Sequence, residues 1–466
     1  RATPAGERAA LLHRVADLLQ RDKESLSRLE TRDTGKTLAE SRIDIDDVTS
    51  VFRYYAHLIG AESDRLVDVG APAVVSRVVR EPIGVCVLIA PWNYPLLQMS
   101  WKVAPALAAG GCTMVCKPSE VTPLSTIAFT HLLQEAGVPA SVVNLVQGSG
   151  AALGGQALTD NPDVDFISFT GGLATGRTIA RTAAEHVTKV ALELGGKNPH
   201  IVFADIGSDG WDSAVDHVLT GVFLHSGQVC SAGTRLIVEQ SIADEFVADL
   251  AARAEKIRIG DGMDPPASET GPLVSADHRD KVEKNYVALG VSEGATLVTG
   301  GARPSDPALA DGYFYLPTIF DHCERTMRIV QEETFGPILT VERFTTESEA
   351  IGLGNDTQYG LAAGVRTSDS ARGANVWCGN CGTARCGSTT SATTPPPRSG
   401  VASAGRVTAA NSDRPVSRNT KSSSTSGTTP RRLLRVGSRD RHHGDQTAPP
   451  RGQRSGGLRV PRIAGP

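Results

Sequence analysis

An alternation of short apolar runs and helical stretches between residues 85 and 194 constrains this chain more than any other feature. The apolar runs cover residues 85–90, 114–116, 143–146, 166–169 and 190–194. Parallel strands are buried on both faces, so they read as continuous apolar runs, and a helix usually connects each strand to the next. The pattern predicts an α/β fold with a parallel sheet and helices on both of its faces.

Segments with other patterns flank this region. Residues 7–29 place their apolar side chains on one helical face, which predicts an N-terminal helix. Residues 65–79 are rich in Val and are punctuated by Gly and Pro, and their two strand-like runs predict a β-hairpin. A second apolar and helical series extends from residue 223 to about residue 371. Because Arg1 occupies the first position without a Met and lies close to a helical pattern, we expect that an N-terminal stretch is missing.

The charge divides the chain at Gly373. Residues 1–372 hold 32 Lys and Arg against 48 Asp and Glu, whereas residues 373–466 hold 15 against 3. The tail also has no Glu, Phe, Tyr or Met, so it cannot bury enough apolar surface to offset the entropy lost on ordering. We therefore expect residues 373–466 to be disordered.

The chain as a whole has the composition of an ordinary globular protein. Its 466 residues are 40% hydrophobic and 21% charged, which suits two or three domains. No apolar run approaches the roughly 20 residues of a membrane helix, so we expect no membrane association. The 8 cysteines have no regular spacing and no secretory signal precedes them, which favours a reducing, cytoplasmic location over a disulfide framework.

Six motifs carry candidate chemistry, and the first two follow predicted strands. The first is the loop Ile89, Ala90, Pro91, Trp92, Asn93 and Tyr94, and the second is Lys117, Pro118, Ser119 and Glu120. Ligands of open α/β sheets bind at such strand ends, and an amine beside a carboxylate could hold a ribose. A proline-bounded turn and a solvated charged turn are the alternative explanations.

The other four motifs combine glycine turns with acidic or nucleophilic groups. They are the turn Gly171 and Gly172, the run Glu193, Leu194, Gly195 and Gly196, the run Gly227, Gln228, Val229 and Cys230, and the loop with Glu333 and Phe335. A glycine turn before a helix suits a phosphate, and a Glu that ends an apolar strand is costly without a role. Cys230 is either an exposed thiolate or, as for most single cysteines, part of the packing.

Taken together, in this order and at this spacing, the six motifs resemble those of the NAD(P)-dependent aldehyde dehydrogenase superfamily, over about residues 7–372. The resemblance implies a Rossmann-like cofactor domain, an α/β catalytic domain and a β-hairpin oligomerisation element. The corresponding boundaries are residues 1–64 and 81–196 for the NAD-binding domain, 65–80 for the hairpin and 197–372 for the catalytic domain. In such a family the partner is a second copy of the chain, and no nucleic acid is involved.

The resemblance implies a covalent mechanism. Cys230 matches the thiol that attacks the aldehyde, forming a thiohemiacetal and then a thioester. Glu193 matches the base that activates water for thioester hydrolysis, and Asn93 with the Cys230 backbone amide matches the oxyanion hole. Lys102 matches a lysine that pairs with a late glutamate, and this sequence lacks that glutamate at the expected place.

The resemblance also implies NAD as the cofactor. The residues that match its binding positions are Ile89, Ala90, Pro91, Trp92, Lys117, Ser119, Glu120, Gly171, Gly172, Leu194, Gly195, Glu333 and Phe335. Lys117 and Glu120 would hold the adenosine ribose, and Glu333 and Phe335 the nicotinamide end. Because the carboxylate of Glu120 would repel a 2′-phosphate, we expect NAD rather than NADP.

Within the family, Gly172 and the pair His225 and Ser226 resemble the branch that oxidises betaine aldehyde. Tyr94 and Trp101 match aromatic positions of its substrate tunnel, where ring faces attract quaternary ammonium groups. The alternative is that both residues are ordinary wall residues of the tunnel, because other branches also have aromatic residues at these positions. Two alternatives remain: a CoA-acylating relative, against which Glu193 argues, and a remnant that binds NAD without turnover.

The resemblance stops after Arg372. The tail can be back-translated with plausible GC-rich codons and then read from the third base of each codon instead of the first. In that reading, residues 384–391 can give Thr-Val-Trp-Ile-Asn, and residues 398–414 can give the glycine-rich segment that the family is expected to have, including its glutamate. We therefore predict a frameshift near Arg372 or Gly373, and the loss of the final strand that the family uses in oligomers. On this interpretation Cys378, Cys381 and Cys386 do not form a metal site, and the Arg-rich end does not bind nucleic acid.

Overall fold

A computed structural model of the chain describes residues 3–60, 65–70, 74–149, 155–263, 268–376, 386–388 and 432–438. The predictions for Cys378, Cys381 and most of the tail lie outside these residues. Within the described ranges, no helix is long and apolar enough to cross a membrane, and no group of three metal-ligating side chains occurs.

The strands, in chain order, are β1 (Arg65–Val67), β2 (Val74–Arg80), β3 (Val85–Ile89), β4 (Thr113–Lys117), β5 (Val143–Leu145), β6 (Phe166–Thr170), β7 (Lys189–Glu193), β8 (Pro199–Val202), β9 (Arg235–Glu239), β10 (Thr296–Thr299), β11 (Thr318–Asp321), β12 (Ile338–Phe344), β13 (Ala363–Arg366), β14 (Cys386–Ser388) and β15 (Arg432–Ser438). The α-helices are α1 (Ala5–Arg21), α2 (Lys23–Thr34), α3 (Leu38–Leu58), α4 (Pro95–Ala109), α5 (Leu124–Glu135), α6 (Gln156–Thr159), α7 (Leu173–Glu185), α8 (Gly207–Phe223), α9 (Ala243–Ala254), α10 (Ala276–Lys281), α11 (Ala288–Ser292), α12 (Arg328–Gln331), α13 (Glu347–Gly354) and α14 (Ser370–Asn375). A π-helical turn, Val282–Val287, connects α10 to α11.

The first sheet has five parallel strands in the order β5-β4-β3-β6-β7. Leu88 and Met114 face a core built with α1, α3, α4 and α5, whereas Val87 and Ile167 face a core built with α7. Because side chains alternate along a strand, both faces of the sheet are covered. The predicted α/β fold is confirmed.

The second sheet has seven strands in the order β10-β11-β12-β9-β8-β13-β14. All of its pairings are parallel except that of β10 with β11. The helices α8 and α9 pack on one face through Val218, Val222 and Phe246, which are fully buried. The apolar series after residue 223 therefore forms a second α/β layer together with β8 and α8, which precede it.

A separate small sheet has the order β1-β2-β15. The strands β1 and β2 pair antiparallel, which confirms the predicted hairpin, and β15 pairs antiparallel with β2 from Arg432 opposite Arg80 to Ser438 opposite Val74. The strands β14 and β15 thus differ from the expected disorder of residues 373–466. Backbone pairing explains the difference, because a ladder of N–H and C=O groups needs no particular side chain.

Candidate active site

Four candidate segments follow strands of the first sheet. The register pairs Ile89 with Lys117 and with Phe169, and it pairs Thr170 with Glu193. Since these strands are parallel, their carboxyl ends meet at one edge of the sheet. The loop after Ile89, the Lys117 loop, the glycine turn after Thr170 and Glu193 are therefore neighbours, as the sequence predicts.

The Cys230 loop, residues 225–232, is tied to the first of these loops. Asn93 is 3% exposed, and its Nδ2 donates a hydrogen bond of 2.8 Å to the Gln228 carbonyl. Asn198 Nδ2 donates to the carbonyls of Cys230 and Ala232, at 2.9 Å each. Cys230 forms no disulfide and is half-buried, so it is neither part of the packed core nor fully exposed.

The Cys230 loop begins with a left-handed backbone turn. The φ angles are 49° at His225, 54° at Ser226 and 72° at Gly227. A Cβ at Gly227 would collide with the Gly336 carbonyl, so glycine is required there for space as well as for conformation. His225 and Ser226 carry side chains in a region that such residues rarely adopt.

The glycine turn after β7 joins the Cys230 loop to Glu333. Gly196 N donates to Glu333 Oε1 at 3.1 Å, and a Cβ at Gly195 would collide with Glu333 Oε2. The glycine turn also approaches the Cys230 loop, because a Cβ at Gly196 would lie 2.8 Å from the Cys230 carbonyl oxygen. Burial raises the pKa of Glu333, and the Gly196 N–H opposes this effect. Three predicted motifs therefore meet at this turn.

Lys102 extends from α4 to the end of β6. Its buried Nζ donates to Thr170 Oγ1 at 2.6 Å and to Ser168 Oγ at 3.3 Å. Thr170 pairs with Glu193 across the strands, and Gly171 N donates to the Glu193 carbonyl at 3.0 Å. Lys102 thus lies next to the strand end that carries half-buried Glu193.

The Lys117 loop forms a compact charged turn. Lys117 Nζ lies 3.3 Å from Glu120 Oε2, and Ser119 Oγ accepts a hydrogen bond of 3.2 Å from Val121 N. Lys117 is almost buried, whereas the Glu120 side chain is 46% exposed. The turn is fastened to the first loop because Ala90 N donates to the Lys117 carbonyl at 3.1 Å.

The glycine turn after β6 leads into α7. Gly172 is the N-cap residue of this helix and has no side chain to cap the first N–H groups. A Cβ at Gly172 would meet nothing within 4 Å, whereas one at Gly171 would lie 2.5 Å from the Phe169 ring. The helix start therefore has open space, uncapped N–H groups and the positive end of the helix dipole.

An aromatic cluster surrounds the Trp92 position. The Trp92 ring centroid lies 5.2 Å from those of Phe335 and of His278. His278 Nε2 donates to the Phe335 carbonyl at 2.7 Å, and burial lowers the pKa of His278 to about 4. The sequence analysis did not include His278, because a single histidine in a polar stretch matches no motif.

Tyr94 and Trp101 are the two aromatic candidates for substrate contact. Tyr94 lies in the loop before α4, and Trp101 lies within α4. Both are half-buried against the core formed with the N-terminal helices. Lys36 Nζ lies 4.0 Å from the centroid of the Tyr94 ring, and the His225 ring centroid lies 5.7 Å from it. One face of Tyr94 is therefore already occupied by a cation, which the sequence analysis did not anticipate.

The fold and these contacts define a class of protein: an α/β protein with two mainly parallel sheets, in which a cysteine loop, a glycine turn at a strand end and a buried glutamate meet. The family model for the aldehyde dehydrogenase family matches residues 1–405. The chain belongs to the aldehyde dehydrogenase family, as the motifs predicted. The match extends past Arg372, where the sequence analysis placed the end of the resemblance.

Individual relatives agree with this assignment. The chain is 56% identical to a betaine aldehyde dehydrogenase of Bacillus subtilis (strain 168) over 363 residues, which cover 78% of this chain and 73% of the relative. It is also similar to a crystal structure of a betaine aldehyde dehydrogenase from Staphylococcus aureus in complex with NAD+. That match has 46% identity and a TM-score of 0.80, and it covers 83% of this chain and 75% of the other. A crystal structure of a double mutant of the Staphylococcus aureus enzyme contains NAD+ and a BME-modified cysteine. Its match to this chain has the same identity and TM-score, and it covers 83% of this chain and 76% of the mutant.

Proposed function

We propose that this chain catalyses the NAD-dependent oxidation of an aldehyde to a carboxylic acid, with betaine aldehyde as its substrate. The family supports the reaction class, and the names of the relatives from Bacillus subtilis and Staphylococcus aureus support the substrate. One observation carries the proposal: the Cys230 loop touches both the Asn93 side chain and the glycine turn that follows Glu193.

The described residues fit a dinucleotide. The uncapped start of α7 at Gly172 has room and polarity for a phosphate. The ion pair of Lys117 and Glu120 offers a donor and an acceptor to a ribose. Glu333 offers a second carboxylate close to the glycine turn, and Phe335 and Trp92 offer ring surfaces beside it. When bound, NAD supplies the hydride acceptor.

In the proposed mechanism, Cys230 Sγ attacks the carbonyl carbon of the aldehyde. The oxygen becomes an oxyanion, which is stabilised by Asn93 Nδ2 and the Cys230 backbone N–H. Removing one such donor costs about 3 to 4 kcal/mol in other enzymes. After oxidation of the adduct to a thioester, Glu193 takes a proton from water, the hydroxide attacks the thioester carbon, and the Cys230 thiolate leaves.

Lys102 acts in this proposal by holding Thr170 and thereby the strand end beside Glu193. For the substrate, Tyr94 and Trp101 supply aromatic surface for a trimethylammonium group. The Lys36 ammonium on Tyr94 does not prevent this, because Asp44 lies 2.6 Å and Glu30 lies 3.7 Å from its Nζ and both offset its charge. A second cation can then use the opposite face of the ring.

The test is NADH formation by the purified chain from betaine aldehyde and from an uncharged aldehyde of similar size. We expect NADH and glycine betaine, with higher kcat/KM for betaine aldehyde. No NADH despite measurable NAD binding would reject the enzyme in favour of a binding remnant. Acyl-CoA formation on addition of CoA would identify the CoA-acylating alternative.

We further infer that residues 1–64 and 81–196 bind NAD, that residues 197–372 carry the nucleophile, and that the 65–80 hairpin forms oligomer contacts. The position of β1 at the edge of the small sheet, among the strands that the structure describes, supports the last point, since an unpaired strand edge can add a strand from another chain. Sedimentation of the full chain and of a chain with Leu66→Lys would test it. Equal molecular masses at all concentrations would contradict it.

A further inference from the structure

Glu40 lies far from the catalytic motifs in sequence but contacts the Cys230 loop. It is 7% exposed, in the first turn of α3. Its Oε2 accepts hydrogen bonds from Thr37 N at 2.7 Å and from Thr37 Oγ1 at 2.8 Å, which forms a capping box. Its Oε1 accepts a hydrogen bond of 2.8 Å from His225 N. The last contact serves no purpose in capping the helix.

The donor in this contact is the first residue of the left-handed turn. Residues with a Cβ adopt this conformation only where the surroundings enforce it, because it costs free energy. His225 N donates to Glu40, and Ser226 N donates to Thr270 Oγ1 at 3.0 Å. The N–H groups of the two strained residues are thus held from two sides.

The surroundings of the turn are themselves packed tightly. Ser226 Oγ donates to the Gly271 carbonyl at 2.6 Å, and a Cβ at Gly271 would collide with the Gly35 carbonyl. Leu38 N donates to the Gly262 carbonyl at 2.8 Å. The start of α3, the segment around residue 271 and the left-handed turn therefore form one junction with little room to adjust.

The left-handed turn fixes the position of the residues that follow it. Gln228 Nε2 donates to the His225 carbonyl at 3.0 Å, and Val274 N donates to Gln228 Oε1 at 2.9 Å. The Gln228 carbonyl is the group that accepts from Asn93 Nδ2. A relaxation of the turn at His225 would therefore shift both the Asn93 amide and Cys230.

We propose that Glu40 is a positioning residue for the nucleophile: by accepting from His225 N, it holds the left-handed turn that places Cys230 opposite Asn93. The inference rests on the proposed function for the role of Cys230. It adds a residue 185 positions away from the turn, which acts through the backbone and does not touch the substrate.

The test replaces Glu40 with glutamine in the full chain. An amide has one acceptor oxygen, so Glu40→Gln cannot serve both Thr37 N and His225 N. The measurements are the rate of Cys230 alkylation by iodoacetamide, followed by peptide mass spectrometry, and the kcat and KM for betaine aldehyde. We expect alkylation to slow by about tenfold and kcat to fall by at least as much, with KM within about twofold.

Glu349→Gln is the matched control, because Glu349 is also a glutamate at the start of a helix whose carboxylate accepts from a backbone N–H, that of Thr345 at 2.8 Å, but it belongs to α13. It should leave alkylation and kcat unchanged. Thr270→Val is the second variant, since it removes the acceptor of Ser226 N on the other side of the turn. It should slow alkylation as Glu40→Gln does.

The outcomes separate this inference from the proposed function. If the unmodified chain forms no NADH, the proposed function fails, but the alkylation rates still test Glu40. If folded Glu40→Gln reacts at the rate of Glu349→Gln, the positioning role is wrong. If Glu40→Gln does not fold, Thr270→Val decides, and an unchanged alkylation rate in that variant rejects the role.

Discussion

The two loops that build the candidate site differ in what holds them. The Cys230 loop is held by Glu40, Asn93, Asn198 and Thr270, which come from four separate segments of the chain. The Lys117 loop is held mainly by its own residues, through the Lys117–Glu120 ion pair and the Val121 N–H on Ser119. Cys230 therefore depends on the assembled fold, whereas the Lys117 loop depends mainly on its own residues and on Ala90 of the neighbouring loop.

This difference predicts where distant substitutions matter. Changes around residues 37–40 and 270–271 should alter the chemistry at Cys230, although they touch no substrate. Changes near the Lys117 loop should remain local and should alter cofactor affinity alone. Glu40→Gln and Thr270→Val test the first half of this statement, and four substitutions within the site itself should have effects of decreasing size.

The largest effect is expected for Cys230→Ser. Because the serine hydroxyl is a far weaker nucleophile than the thiolate, NADH formation should fall by about a thousandfold or more. NAD binding, measured by fluorescence quenching, should be unchanged. Retained turnover in this variant would show that the thiol is not the nucleophile.

The next effect concerns Asn93, which joins the loop after Ile89 to the Cys230 loop. Asn93→Ala removes both the hydrogen bond to the Gln228 carbonyl and the proposed oxyanion donor. We expect kcat to fall by about a hundredfold or more, with a small change in KM. Steady-state kinetics measures this, and a rise in KM at constant kcat would instead assign Asn93 to substrate binding.

A smaller effect is expected at the glycine turn. Gly195→Ala would push Glu333 away from its present position, because the new methyl group collides with its carboxylate. NAD should bind about tenfold more weakly, as isothermal titration would show. Gly352→Ala in α13 is the control, since a Cβ there meets nothing within 4 Å; equal affinities in the two variants would contradict the role of this turn.

The smallest effect is expected in the Lys117 loop. Glu120→Gln removes a 46% exposed carboxylate that would face a 2′-phosphate. Because exposed charges are screened, the preference for NAD over NADP should fall only by roughly fivefold. The ratio of kcat/KM for the two cofactors measures this preference, and an unchanged ratio would remove Glu120 from cofactor selection.

The sequence predicted the features that depend on local pattern. The strands β3, β4 and β6 each lie at a predicted apolar run, because a strand covered on both faces demands apolar residues. The glycine motifs were recognisable because close backbone approach excludes side chains, as at Gly195 and Gly227. These constraints act on neighbouring residues and therefore leave a trace in the sequence.

Other features could not be predicted from the sequence. The contacts of Glu40 with His225 and of His278 with Phe335 join segments 185 and 57 residues apart, and no local pattern records such pairs. The Lys36 ammonium on Tyr94 depends on how α2 and α3 pack. The pairing of β15 with β2 arises from backbone groups, so the composition of the tail gave no sign of it.

The central claim is that substrate becomes bonded to Cys230 during turnover. The direct test is to mix Glu193→Gln, in which water should attack slowly, with betaine aldehyde and NAD, quench the reaction, and analyse the peptides by mass spectrometry. We predict that the Cys230 peptide gains the mass of the acyl group while NADH forms in equal amount. NADH formation with an unmodified Cys230 peptide, or an acyl group on another residue, would contradict the account.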